Sequence, residues 1–305
     1  MSSPTEASPP KQTIHTLLSE IIDYAGLFPP SLVSMTEAVT NFSAYKNGGD
    51  SWMLGRFVVP LARLGEFLEC AKDVILREGE DVWRLSVIAG EDINATIREI
   101  NLFNRSNGPR FICDSLEVKT NTVSKIDNTV TALPAGLTTY FEITVAENFV
   151  DLVTMLALKQ QRAKIRTGGT SSDDFPPSRE IIRFVRTCLA ANVPFKATAG
   201  LHHPIRCFRP LTYAADAPKG TMHGFLNVLL MTGFARESFR VSLLEEIMEE
   251  EFDEAFAFRE NGAAWRGDYF LTVGHLERLR SKGMISFGSC SFDEPVADLK
   301  SLGLL

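Results

Sequence analysis

The chain has 305 residues, 31 of them basic and 38 acidic, for a net charge of −7 with histidines neutral. Hydrophobic residues make up 45% and charged residues 23%, the balance of a globular protein with a large core. The acidic excess leaves no basic surface for nucleic acid, and no run approaches the eighteen uninterrupted apolar residues of a membrane span.

Residues Met1 to Gln12 are rich in Ser, Pro and Thr without an apolar segment, which predicts a disordered tail rather than a signal peptide. Five scattered cysteines (Cys70, Cys113, Cys188, Cys207, Cys290) without a Cys-x-x-Cys pair point to free thiols and a reducing, cytoplasmic setting.

Helical spacing runs from Ile14 to Ile22, with Thr13 as its expected cap, and Asp23-Tyr-Ala-Gly-Leu-Phe-Pro-Pro30 then reads as a loop. Met35 to Lys46 is a predicted helix, Trp52 to Pro60 a buried strand, Leu61 to Glu78 a helix and Trp83 to Gly90 a strand. Helices over Asn94–Asn104, Thr122–Leu133, Asn148–Gln160 and Ser178–Ala191 alternate with strands in 110–119, Thr138–Thr144, Ala163–Arg166 and Phe195–Ala197. Such alternation builds a parallel sheet, and the number of units favours a closed (β/α)8 TIM-barrel-like fold over an open sheet. The rhythm breaks after Pro210, where Met222–Ala235 and Val241–Phe252 read as successive helices. The reading is one α/β-barrel domain over 13–305, with extra helices, an insertion at about 208–252 and a C-terminal extension. Ala255–Phe258 is preferred over Met284–Phe287 as the last strand, with the tail packed back over the barrel.

The chemistry concentrates on two strand ends, Arg162-Ala-Lys-Ile-Arg-Thr-Gly-Gly169 and Pro194-Phe-Lys-Ala-Thr-Ala-Gly-Leu-His-His-Pro204. Strand alternation puts Lys164 and Arg166 on one face, where a desolvated amine near another cation, Lys196 or Arg166, becomes a nucleophile or base. An anion anchor without covalent chemistry is an equal alternative. Glu142, in the middle of an apolar strand, needs a cationic partner such as Lys119, Lys164 or Arg166, as catalytic pair or structural ion pair. Glu117 and Lys119 fit the same polar lining, while Asp23, Tyr24 and Arg56 are lesser candidates.

Adjacent His202 and His203 follow Gly200 in what a barrel makes a mouth loop, and one of them is expected in the site as base or donor. With His223 they raise a metal alternative, with Glu142, Asp114 or Glu117 completing a divalent site. Thr167, Gly168, Gly169, Arg166, Arg206 and His223 are the candidate substrate-binding residues.

Lys-x-x-Thr-Gly from Lys164 to Gly168, followed by Lys-Ala-x-x-Gly from Lys196 to Gly200, resembles the deoxyribose-phosphate aldolase group of class I aldolases. The resemblance covers about 40 residues and implies that Lys164 forms a Schiff base while Lys196 lowers its pKa. Phe287-Gly-Ser-Cys-Ser291 is faintly like a Gly-Ser phosphate loop. Arg166, His202-His203 and the insertion after Pro210 depart from the group, and no aspartate takes its proton-transfer role. Taken whole, the chain looks more like an uncharacterised bacterial α/β-barrel family than a named aldolase. Three readings follow: a Schiff-base lyase acting on a small anionic carbonyl compound, a metal-dependent barrel enzyme, and a non-catalytic barrel binding a small anion or a protein. A homo-oligomer is compatible with each.

Overall fold

The computed structural model describes residues 12–72 and 82–305. The tail expected over 1–12 and the end of the helix expected over 61–78 fall largely outside them. Gln12 already belongs to the first helix, Gln12–Leu18. Thr13 is therefore not its cap; its hydroxyl instead bonds the Arg259 carbonyl.

Eight parallel strands close into a barrel, as the alternation predicts. They are β1 (Ile22–Tyr24), β2 (Leu54–Pro60), β3 (Trp83–Ile88), β4 (Phe111–Lys119), β5 (Thr138–Glu142), β6 (Arg162–Arg166), β7 (Phe195–Thr198) and a last strand, Met284–Ser289. Helices Met35–Lys46, Ile93–Asn107, Val123–Ala132, Phe149–Leu158 and Ser178–Ala190 return the chain between strands. Caps set their starts: Ser34 accepts from the Glu37 N–H, and Asp92 accepts from the N–H groups of Asn94 and Ala95.

Between β7 and the last barrel strand lie two additions. A hairpin of β8 (Cys207–Pro210) and β9 (Lys219–Met222) leads into helices Phe225–Arg236 and Val241–Met248. An antiparallel sheet of β10 (Phe256–Arg259), β11 (Gly262–Trp265) and β12 (Tyr269–Thr272) precedes helix Val273–Lys282. The added segment thus runs well beyond 208–252.

Two expectations are corrected. The eighth barrel strand is β13 (Met284–Ser289), which joins β7 to β1 through Phe287↔Ala197 and Ile22↔Phe287. The preferred segment at 255–258 pairs instead with the strand next to it, because the turn at Glu260–Asn261 allows an antiparallel hairpin. And Asp23–Tyr24 is not loop: with Ile22 it is the first barrel strand, three residues long and fully buried.

The barrel's outer face is apolar and its inner face polar, and the alternation on β7 makes the rule visible. Phe195 and Ala197 face the helices, where Phe195 meets Phe184 edge-on at 5.4 Å, while Lys196 between them faces inward. Phe42, Phe57, Phe67, Trp83 and Phe111 pack the opposite wall, largely edge to face.

Candidate functional site

Residues of seven strands point polar groups into the barrel, and these join into one buried chain. Glu142 on β5 meets the Lys164 ammonium at 2.7 Å, and Lys164 also donates to Glu117 Oε2 at 2.7 Å. Glu117 Oε1 accepts from Lys196 at 2.7 Å, and Lys196 donates to Asp23 Oδ2 at 2.6 Å. Hydroxyls finish it: Ser286 donates to Asp23 at 2.8 Å and Ser86 to Glu117 at 2.7 Å. An isolated buried charge costs several kcal/mol, so each ammonium is held by two carboxylates. Gly55 is part of this arrangement. A Cβ there would collide with Asp23 Oδ1, which accepts from the Arg56 N–H at 2.8 Å. The Arg56 guanidinium itself pairs with Asp114, at 2.6 and 2.7 Å.

Burial favours the neutral acid at Glu117, but the Lys164 and Lys196 ammoniums outweigh it and hold the carboxyl well below the usual carboxylate range. Asp23 is likewise held low, burial being outweighed by Lys196 and Arg56. Burial alone would discharge Lys196, yet Asp23 and Glu117 on either side raise its pKa above the ordinary lysine value. Lys196 and Lys164 do not meet as bare cations, because Glu117 stands between the two and bonds both. Lys196 keeps Glu117 ionised, and Glu117 grips Lys164.

The chain of charges is not equally covered. Side-chain exposure is 1% for Lys196, 2% for Asp23 and 4% for Glu117, but 14% for Glu142. The Glu142–Lys164 end borders a cavity of about 380 Å³ at the C-terminal ends of the strands. Of the sequence-selected residues, Lys164, Lys196, Glu142, Arg166, Gly169 and His202 line it. Lys119 and Arg166, both exposed, add positive charge to its wall.

The other selected residues serve elsewhere. Thr167 donates to the Ala199 carbonyl at 2.6 Å, tying the loops after β6 and β7 together. Gly168 lets those loops touch: a Cβ there would lie 2.7 Å from the Gly200 Cα and 2.5 Å from Phe175. His203 Nδ1 bonds Asp298 at 2.6 Å, outside the cavity lining, so His202 is the cavity histidine of the pair. Arg206 pairs with Glu251 at 3.3 Å, and His223 Nε2 donates to the Pro176 carbonyl at 2.8 Å. Among the described residues no three His, Cys, Asp or Glu side chains are placed to hold a metal ion, and the three selected histidines disperse to separate partners.

Two central groups carry weak sequence signals. Glu117 is the hub of the chain, and Asp23 is its sealed end. The signal at Glu117 was its place in strict alternation in Ser115-Leu-Glu-Val-Lys119. For Asp23 only the lone acid in an apolar run hinted at a role. Cys290 also lines the cavity, at the end of the last strand, beside Gly288. Asp174 reaches the cavity after bonding the N–H groups of Thr170 and Ser171, which shapes the loop after β6.

No protein-family model, curated protein or solved structure matches the chain. No helix among the described residues is long and apolar enough to cross a membrane.

Proposed function

We propose that the protein is a Schiff-base lyase of the aldolase type, acting through Lys164 on a small anionic aldehyde or keto acid. The observation that carries the reading is Lys164 itself: a buried amine bracketed by two carboxylates at the edge of an open cavity, Glu117 the deeper and Glu142 the more exposed. The resemblance of the two lysine motifs to class I aldolases supports it independently.

The amine must lose a proton before it can attack. Glu117 is held ionised by two ammoniums and positions the nitrogen, while Glu142, beside the cavity, takes the proton. The free amine adds to the carbonyl carbon, the carbonyl π electrons move to oxygen, and that oxygen departs as water after receiving two protons. The resulting iminium withdraws electrons from the adjacent carbon–carbon bond, which breaks or forms there. Glu142, returned to the carboxylate, is placed to move protons at the substrate. Lys119 and Arg166 favour an anionic substituent, and with Lys164 and Lys196 they set four lysine and arginine side chains against Glu117, Glu142 and Asp174 in the lining.

Borohydride reduction with glyoxylate or pyruvate tests the reading, because it fixes an imine as a stable secondary amine of defined mass. The expected result is one adduct per chain, lost in Lys164→Ala and not restored in Lys164→Arg, since guanidinium forms no such imine. Equal trapping in Lys164→Ala would overturn it.

A further inference from the structure

The cavity wall holds a second reactive group that the lysine chemistry does not use. Cys290 is only 6% exposed, lines the same cavity as Lys164, and is the meeting point of several donors. His202 Nδ1 lies 4.0 Å from its sulfur and the Tyr213 hydroxyl also 4.0 Å. Glu294 holds the other members in place, 3.1 Å from His202 Nδ1 and accepting from Tyr213 at 3.2 Å. The sulfur and the Glu294 carboxylate thus share the same two groups, His202 Nδ1 and the Tyr213 hydroxyl.

We propose that Cys290 is a peroxide-reactive thiolate, and that the cavity admits a small hydroperoxide to it. The thiolate attacks the near peroxide oxygen, a sulfur–oxygen bond forms and the oxygen–oxygen bond breaks. Sulfur is oxidised by two electrons to a sulfenic acid while the peroxide is reduced. The imidazolium of His202 gives its proton to the departing oxygen, which leaves as water or an alcohol.

The charge balance around the pair agrees with the geometry. Burial disfavours charge at His202, but Cys290 and Glu294 reverse that and push its pKa up to about 9, so a proton is available at neutral pH. Burial also raises the Cys290 thiol, yet His202 and Ser31 outweigh it and set it below its ordinary value. Burial pushes Cys113 and Cys188 the other way, with no cation to offset it, and Cys207 is raised as well. All five cysteines are free thiols, so no disulfide competes for the oxidised sulfur. An oxygen added to Cys290 would intrude on the cavity that Lys164 borders, which makes the site a candidate off-switch.

The full chain is exposed to hydrogen peroxide at neutral pH with dimedone present, and adducts are mapped by peptide mass. Cys290 should be labelled at least tenfold faster than Cys70 or Cys207, although both are more exposed. His202→Gln should slow labelling at Cys290 about tenfold, and Tyr213→Phe, a milder change, by a few-fold. Labelling that follows exposure instead, or a rate at Cys290 unaltered in both variants, would overturn the assignment. The dimedone adduct is read at Cys290 and the borohydride adduct at Lys164, so this result and the imine result fail independently.

Discussion

Lys164 and Lys196 are register partners on neighbouring strands, share one carboxylate, and are each bonded to two. Their surroundings nevertheless give them different work. The far carboxylate of Lys196 is Asp23, sealed at 2% exposure and tied to Ser286 and to the Arg56 backbone; that of Lys164 is Glu142, beside open volume. Lys196 and the shared Glu117 also reach the cavity lining, so the difference lies in the far partners: Asp23 is locked on every side, whereas Glu142 can change state when a substrate arrives. The same pair of residues therefore separates into an electrostatic support and a candidate nucleophile through the access of the far carboxylate.

The largest expected effect lies at the closed end. Lys196→Met leaves Asp23 and Glu117 buried without their shared cation and should cost about 3–5 kcal/mol in denaturant unfolding. Lys164→Met should cost less, about 1–2 kcal/mol, because Glu117 keeps Lys196 and Glu142 is near water. Equal costs would erase the distinction between the two ends. Gly168→Ala sharpens the comparison from outside the charges. Its Cβ would press on Gly200 and Phe175, separating the loops after β6 and β7 at a cost of about 1–3 kcal/mol, and imine trapping should fall with it.

A smaller effect is set by pH. Asp23 and Glu117, both held low in the fold, stabilise it fully above their unfolded values near about pH 4. That contribution is lost as pH falls through their folded values. His202 acts in the opposite direction. Its pKa is raised to about 9, so its contribution is complete below about pH 6.5 and is lost as pH climbs towards 9. Melting temperature should decline across that upper window in the native chain, and His202→Gln should flatten the decline.

Much of the barrel was legible because strands β2 to β7 carry apolar runs bounded by helices with clear periodicity. Ile22–Tyr24 was not, since three residues cannot display a period and the following prolines suggested a loop. The last strand was ambiguous for a different reason: Phe256–Arg259 and Met284–Ser289 are both short apolar runs, and only closure of the barrel onto β1 decides between them. The two lysines, Glu142 and His202 were found from local pattern, whereas Arg206, His203 and His223 lay near in sequence but bond elsewhere. Hubs such as Glu117 depend on which strands become neighbours, which is a property of topology rather than of spacing.

The central claim is that access, rather than residue type, assigns the nucleophile. Glyoxylate reduced onto the native protein with borohydride, followed by peptide mapping of the adduct, tests it most directly. The account predicts modification at Lys164 with Lys196 left unmodified. Modification of Lys196, or of both lysines to similar extent, would contradict it.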